Sequence, residues 1–342
     1  MISGQHAGSR APLRVGVCLS LTGRFARFGR QAALGLEAWR GLADSVVLVI
    51  EDDESSPGRL AAMLPVVAGR CDVLLGPYST RLMRAAGPIA ADFGWLLWNH
   101  GGSGDDVEAA HPGHVVSVLT PATRYAEPFL RHLAGSRPAA RLCVVHGRGS
   151  FGNQVAAGAR ATARRLGIEV LPGKPTELGD LPGQWGLLCA GAFEEDVETV
   201  RRAQSRPNPP DVICAVAAGV REFGQASADA DGIFGVGQWF PGSAGSAGNR
   251  HLGPTEAAFL AACAARNPRV PDYPAVQAAA AAVIATHCAG LAGGTDAEEL
   301  WQAALGLDGR TLFGGFKIDA TGMQVGHDGA LVRWTADGPV GA

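Results

Sequence analysis

Apolar and polar positions along this chain fall into short buried runs that alternate with helical spacings. Residues 13–19 form a strand-like run, and residues 31–42 place Ala32, Leu36 and Trp39 on one helical face. Residues 46–50 give a second strand and residues 59–68 a helix. Val73-Leu74-Leu75 is a third strand, apolar throughout as in a sheet covered on both faces. A helix over residues 82–93 and a strand over 95–98 follow. Beyond Val115-Val116-Ser117-Val118 the pattern restarts, with strands over 141–146, 169–171, 187–191, 212–217 and 233–236 and helices over 154–166 and 195–204. The tail differs, with helices over 255–265 and 275–291 and β-like stretches at 314–318 and 330–334. Strand–helix alternation of this kind predicts parallel sheets flanked by helices. Two such halves predict two lobes with a cleft where the carboxyl ends of both sheets meet.

Length agrees with two cores, since single cores stop growing near 250–300 residues and this chain has 342. At 47% apolar and 18% charged residues the composition is globular. A net charge of −3, with scattered arginines and only Lys174 and Lys317 as lysines, gives no field for nucleic acid. The seven cysteines are an odd number, without zinc-like spacing. Cys18, Cys143, Cys189 and Cys214 sit in strand-like runs, where a thiol behaves as a small hydrophobe. Residues 274–294, alanine-rich and containing Gln277 and His287, read as a buried helix.

Candidate chemistry starts at Gly76-Pro77-Tyr78-Ser79-Thr80, where a buried strand gives way to a helix. A hydroxyl beside free N–H groups at such a point is a socket for a carboxylate. Ser103, after the fourth strand, is expected to cap the next short helix and to offer a second socket. Phe28, Phe151 and Trp239, with Phe25, follow strands or lie near lobe crossings and are expected to wall a pocket. Other patterns carry less. Gly147-Arg148-Gly149-Ser150-Phe151-Gly152 matches G-x-G-x-x-G, but Glu169 lies too early to serve as the acid of a dinucleotide site. Gly101-Gly102-Ser103-Gly104 lacks the G-x-S-x-G spacing, and His100 and Asp105 are too near in sequence for triad geometry. The acidic run Glu51 to Glu54 reads as a solvated strand exit. No cofactor or metal is expected.

Residues 15–38 with Leu21-Thr22-Gly23, the Glu51-Asp52-Asp53 run, Leu75-Gly76-Pro77-Tyr78-Ser79, Ser150-Phe151-Gly152, Gln238-Trp239-Phe240-Pro241 and Thr311 to Phe316 appear in an order that resembles the periplasmic solute-binding proteins of the branched-chain amino acid type. The resemblance implies two Rossmann-like lobes joined by three crossings: residues 13–121 with 241–322, and 122–240 with 323–342, after a disordered 1–12. It implies a ligand carboxylate held by Ser79, Gly101 and Ser103, with Tyr78, Phe28, Phe151, Trp239 and Gln238 around the ligand. Those relatives offer a tyrosine where this chain has Phe151, and an acid for an ammonium where it reads Ala217-Ala218-Gly219; Glu194 and Glu222 are the candidate substitutes. The ligand is therefore expected to be a small carboxylate with an apolar or aromatic body, and the partner a membrane permease of an ABC transporter. A cytosolic sensor acting on a regulatory protein, and an NAD-dependent enzyme using Gly147 to Gly152, are the alternatives. The start Met1-Ile2-Ser3-Gly4 lacks a signal-peptide core. The expected location is cytoplasmic if Met1 is native, and periplasmic or extracellular if a leader has been trimmed.

Overall fold

The computed structural model describes residues 11–137, 141–171, 184–227, 229–244 and 250–342. The chain begins with β1 (Leu13–Leu19), α1 (Ala26–Arg40), β2 (Val46–Asp52), α2 (Pro57–Ala68), β3 (Val73–Leu75), α3 (Thr80–Phe93), β4 (Leu97–Asn99), α4 (Asp106–Ala109) and β5 (Val115–Ser117). These strands form one parallel sheet in the order β2-β1-β3-β4-β5. Alternation along β1 explains its two covered faces. Val15, Val17 and Leu19 join one apolar cluster with α1, while Cys18 joins another with α2 and α3.

The second sheet follows α5 (Glu127–Ser136), with β6 (Arg141–His146), α6 (Ser150–Arg165), β7 (Trp185–Ala190), α7 (Phe193–Gln204), β8 (Val212–Ala215), α8 (Phe223–Ala226) and β9 (Phe234–Gly237). Then come α9 (Glu256–Ala264), α10 (Tyr273–Ala292), α11 (Ala297–Gly306), β10 (Gly309–Thr311), β11 (Gly314–Phe316), β12 (Ala330–Thr335) and β13 (Gly338–Gly341). This sheet is mixed, not wholly parallel: β12 and β13 extend it as antiparallel strands in the order β13-β12-β9-β8-β7-β6. The strand expected at 169–171 is a single bridge between Val170 and Leu142. Residues 1–10, most of the expected disordered start, lie outside the described residues.

Helix α10 is the apolar segment foreseen as a buried helix. Its alanines pack into the first core, where small side chains let it approach α1 so closely that a Cβ on Gly35 would meet the Ala275 carbonyl oxygen at 1.9 Å. The chain thus passes between the sheets three times: after β5, after β9, and between β11 and β12. One residue from each passage meets at a buried junction. The Gln238 amide accepts from Thr120 N–H and donates to Thr120 C=O, both at 2.9 Å, and Thr120 Oγ1 contacts His327 Nδ1 at 2.6 Å. Burial pushes His327 down to about 4, so the junction is held by uncharged groups.

Candidate functional site

Loops from the carboxyl ends of both sheets enclose one cavity of about 500 Å³. From the first sheet come residues 24–28, 78–81 and 101–103; from the second, 147–152, 190–195 and 216–220; α10 adds Tyr273 and Gln277.

The 24–28 loop is set by the acids that end β2. Asp52 accepts from the N–H of Leu21 and Thr22 and from the Thr22 hydroxyl, and Asp53 accepts from Ser20 Oγ at 2.6 Å. The acidic run is therefore a fastening for the segment that delivers Phe28, rather than a solvated exit. Phe28 stacks on Tyr78 with ring centres 4.9 Å apart.

Ser79 caps α3, its Oγ accepting from Leu82 N–H at 3.3 Å. Its backbone lies at φ 97°, ψ 144°, a region that glycine occupies freely and other residues rarely. The cost is of order 1–3 kcal/mol, and such strain collects at ligand clamps. Among the described residues the N–H groups of Thr80 and Arg81 take no acceptor, so the helix start faces the cavity with free donors.

Ser103 lines the cavity but does not cap α4, which begins three residues later after Asp105. Its carbonyl accepts from Ala122 N–H at 2.6 Å, and its hydroxyl has no partner among the described residues. Gly101 also needs correcting. Its N–H donates to Asn99 Oδ1 and its C=O accepts from Ser79 N–H, so both backbone groups are committed inside the protein. It permits close approach instead, since a Cβ there would meet Tyr78 Cα at 2.5 Å. Asn99 organises the whole turn, donating also to Gly102 C=O, Ser117 Oγ and Glu108.

Trp239 and Gln238 are the other departures. Trp239 is buried beside Arg221 and Pro271, outside the cavity, and Gln238 serves the junction of the three passages. In sequence, an aromatic after a strand looks the same at a hinge as at a pocket wall. The structure brings Tyr78, Ser79, Gly101, Ser103, Phe28 and Phe151 to one cavity and leaves these two apart.

Sequence reasoning passed over Tyr125 and Tyr273, which with Tyr78 are all three tyrosines of the chain. The three interact in series, Tyr78 with Tyr273 and Tyr273 with Tyr125, and Tyr125 also with Gln238. Burial raises all three phenols well above their ordinary value, so they act as neutral hydrogen-bonding groups. Burial also pushes His100, behind Tyr78, down to about 4. The His100 ring makes no hydrogen bond to Ser103, and Asp105 is taken by Thr123 N–H and hydroxyl, so these residues do not assemble as a triad.

The opposite wall is apolar: Phe151, Phe193, Val216, Ala217 and Val220. Phe151 meets Tyr125 edge-on at 5.4 Å. Buried Asp196 holds this wall in shape by accepting from Gly191 and Ala217 N–H, and burial pushes it up to about 7. Gly152 lies where a Cβ would meet the Ala190 carbonyl oxygen at 2.2 Å, so the glycine-rich turn serves helix–strand packing. The acids here are engaged. Glu194 bonds Arg27 across the cleft at 2.5 Å, Glu222 lies 3.6 Å from the same guanidinium, and Glu195 accepts from Ala192 N–H. Arg24, Arg81 and Arg148 stand exposed at the rim without an ion pair among the described residues.

Two α/β lobes with a cavity between the carboxyl ends of their sheets define a two-lobed binding fold. Residues 12–185 fit the family model described as periplasmic binding protein, and the chain belongs to that family. No curated protein sequence matches it. Among solved structures, the leucine binding protein LivK of Thermotoga maritima is similar at TM-score 0.79 and 16% identity, covering 96% of this chain and 97% of its own. A Rhodopseudomonas palustris solute binding protein in complex with 3,4-dihydroxy benzoic acid gives 0.77 and 15%, covering 96% and 95%. Another from R. palustris, in complex with benzoate, gives 0.76 and 18%, covering 97% and 95%. At these identities the likeness speaks for the fold, the type I periplasmic-binding architecture.

Proposed function

We propose that this protein is the solute-binding component of an ABC-type uptake system, capturing a small carboxylate with an apolar or aromatic body and releasing it unchanged to a membrane permease. The carboxylate docks on the first lobe, at Ser79, Ser103 and the free N–H groups of Thr80 and Arg81. The second lobe then closes Phe151 and Phe193 over its body. Closure follows only if the ligand binds the closed arrangement better than the open one.

One observation carries the choice of ligand. The cavity offers free anion donors on one wall, and its acids Glu194 and Glu195 are already engaged. An α-ammonium buried there without a partner would cost several kcal/mol. The benzoate and dihydroxybenzoate complexes of similar folds support an aromatic acid.

A thermal-shift screen over aliphatic and aromatic acids, amino acids and amides tests this function. A ligand at 100 times its Kd adds about 2.7 kcal/mol of stability. A stabilising acid should be recovered unchanged after denaturation. Conversion of the acid, or stoichiometric binding of NAD in its place, would overturn the proposal.

One observation favours a second reading, a sensor of the same fold in a reducing compartment. All seven cysteines are unpaired, and five are raised by burial to about 11 or 12, which makes them inert thiols. Binding to a regulatory protein that depends on the same acid, with no effect of permease, would decide for the sensor.

A further inference from the structure

Helix α10 is apolar on every side, and its side chains from Tyr273 to Ala285 are buried. Gln277 is the exception in kind. It lies one turn beyond Tyr273, is 1% exposed, lines the cavity, and its Oε1 has no hydrogen-bond partner. An amide carbonyl placed in an alanine-rich core without a partner costs its desolvation. Leucine or methionine would fill similar space without that cost.

We propose that Gln277 is a specificity-determining residue that reads a hydroxyl on the ligand body, so that the ligand is a hydroxylated aromatic carboxylate. This rests on the carboxylate function proposed above and narrows it. The amide has one accepting and two donating groups, and either end can face the cavity by a half-turn. A hydroxyl both donates and accepts, and therefore satisfies either orientation. The neighbouring phenols strengthen the choice. Tyr78 and Tyr273 line the same part of the cavity, and their hydroxyls are neutral partners for a second hydroxyl. A methyl or bare ring edge would leave the amide unpaired in the closed protein. Sites built to bond a substrate hydroxyl reject the analogue lacking it much more strongly than apolar pockets reject a size change.

The experiment is calorimetry on the full chain with benzoate, phenylacetate and phenylpyruvate, each beside its 3- and 4-hydroxy counterparts, and then the same set on Gln277→Leu. The wild type is expected to bind one hydroxylated acid at least about tenfold tighter than its parent. In Gln277→Leu that preference should fall to about twofold or reverse. The ligand-free variant should also melt no lower than the wild type, because it buries no unpaired amide. Equal affinity of the hydroxylated and parent acids in the wild type, as an ordered water on Gln277 would give, overturns the inference and leaves the carboxylate function standing. A preference undiminished in Gln277→Leu overturns it too. Binding of none of these acids overturns the inference; binding of a branched aliphatic oxo acid in the same assay would leave the carboxylate function standing, and its failure as well would overturn that function.

Discussion

The two walls of the cavity are built by different means. On the first lobe the donors are locked before any ligand arrives: Asn99 fixes the Gly101-Gly102 turn, Ser79 is held at an unfavourable φ, and Asp52 with Asp53 anchors the loop that carries Phe28. On the second lobe the wall is apolar, and its links across the cleft run through exposed side chains such as Glu194, 70% exposed in its pair with Arg27. Exposed pairs of this kind contribute roughly 0–1 kcal/mol. A carboxylate needs donors in place, since reorienting them costs binding energy, whereas an apolar body needs only a surface that closes. On the proposed function, the first wall therefore selects the charge and the second selects shape.

The largest expected effect tests whether the first wall is pre-built. Asn99 is fully buried and holds five hydrogen bonds, to Gly101, Gly102 N–H and C=O, Ser117 and Glu108. Asn99→Ala should cost about 3–5 kcal/mol in chemical denaturation, because several buried groups lose partners together. A cost below 1 kcal/mol would mean that the turn stands without it.

Next comes a pH dependence from the same network. Burial raises Glu108 from 4.5 to about 8, so the folded state holds its proton more tightly than the unfolded chain does. Wild-type stability is therefore lost as pH rises from about 4.5 to 8. Glu108→Gln lacks this titration, so its stability relative to wild type should grow by a few kcal/mol, in order of magnitude, between pH 5 and pH 9. Comparison of the pair cancels the opposing titration of His100 and His327, which burial lowers in both proteins. Parallel melting curves across this range would contradict the account of Glu108.

Binding separates the walls more sharply. Ser103→Ala should weaken every bound carboxylate by roughly 10- to 100-fold, as loss of a hydrogen bond to a charged group costs about 1.5–3 kcal/mol. Phe151→Ala should instead penalise large bodies and spare small ones, in proportion to about 25 cal/mol per Å² of lost apolar contact. Identical affinity profiles for the two variants, by calorimetry, would erase the division of labour.

The smallest effect concerns Ser79. Ser79→Gly relaxes its φ at the loss of a cap, for which glycine costs only a few tenths of a kcal/mol. The ligand-free protein should gain about 1 kcal/mol while ligand affinity falls. A loss of stability on this substitution would show that the backbone there is not strained.

Much of this architecture was legible in the order of buried runs and helical spacings, because strands covered on both faces leave a strong apolar signature. Val73-Leu74-Leu75 followed by a capping serine is such a case, and Ser79 caps α3 as expected. Ser103 does not cap because α4 starts only at Asp106, while the Ser103 carbonyl is held by Ala122 N–H, and nothing local in the sequence marks that start. Trp239 and Gln238 follow β9 as a pocket residue would, and only the meeting of three distant passages makes that place a hinge. Tyr273 and Gln277 were hidden by the uniform apolarity of α10, although a lone amide among alanines and the scarcity of tyrosine were signals in plain sight. The bond between Arg27 and Glu194, 167 residues apart, left no trace in the sequence.

The central claim is that one wall supplies donors for a carboxylate while the other supplies no free acid for an ammonium. It is tested most directly by calorimetry at one pH on matched pairs, phenylpyruvate or phenylacetate against phenylalanine, and the branched aliphatic oxo acids against their amino acids. The account predicts that the acid lacking the α-amino group binds tighter in each pair, by at least about tenfold, since an unpaired buried ammonium costs several kcal/mol. Consistently tighter binding of the amino acids would contradict it, and would mean that Glu194 or Glu222 leaves Arg27 to meet the ligand.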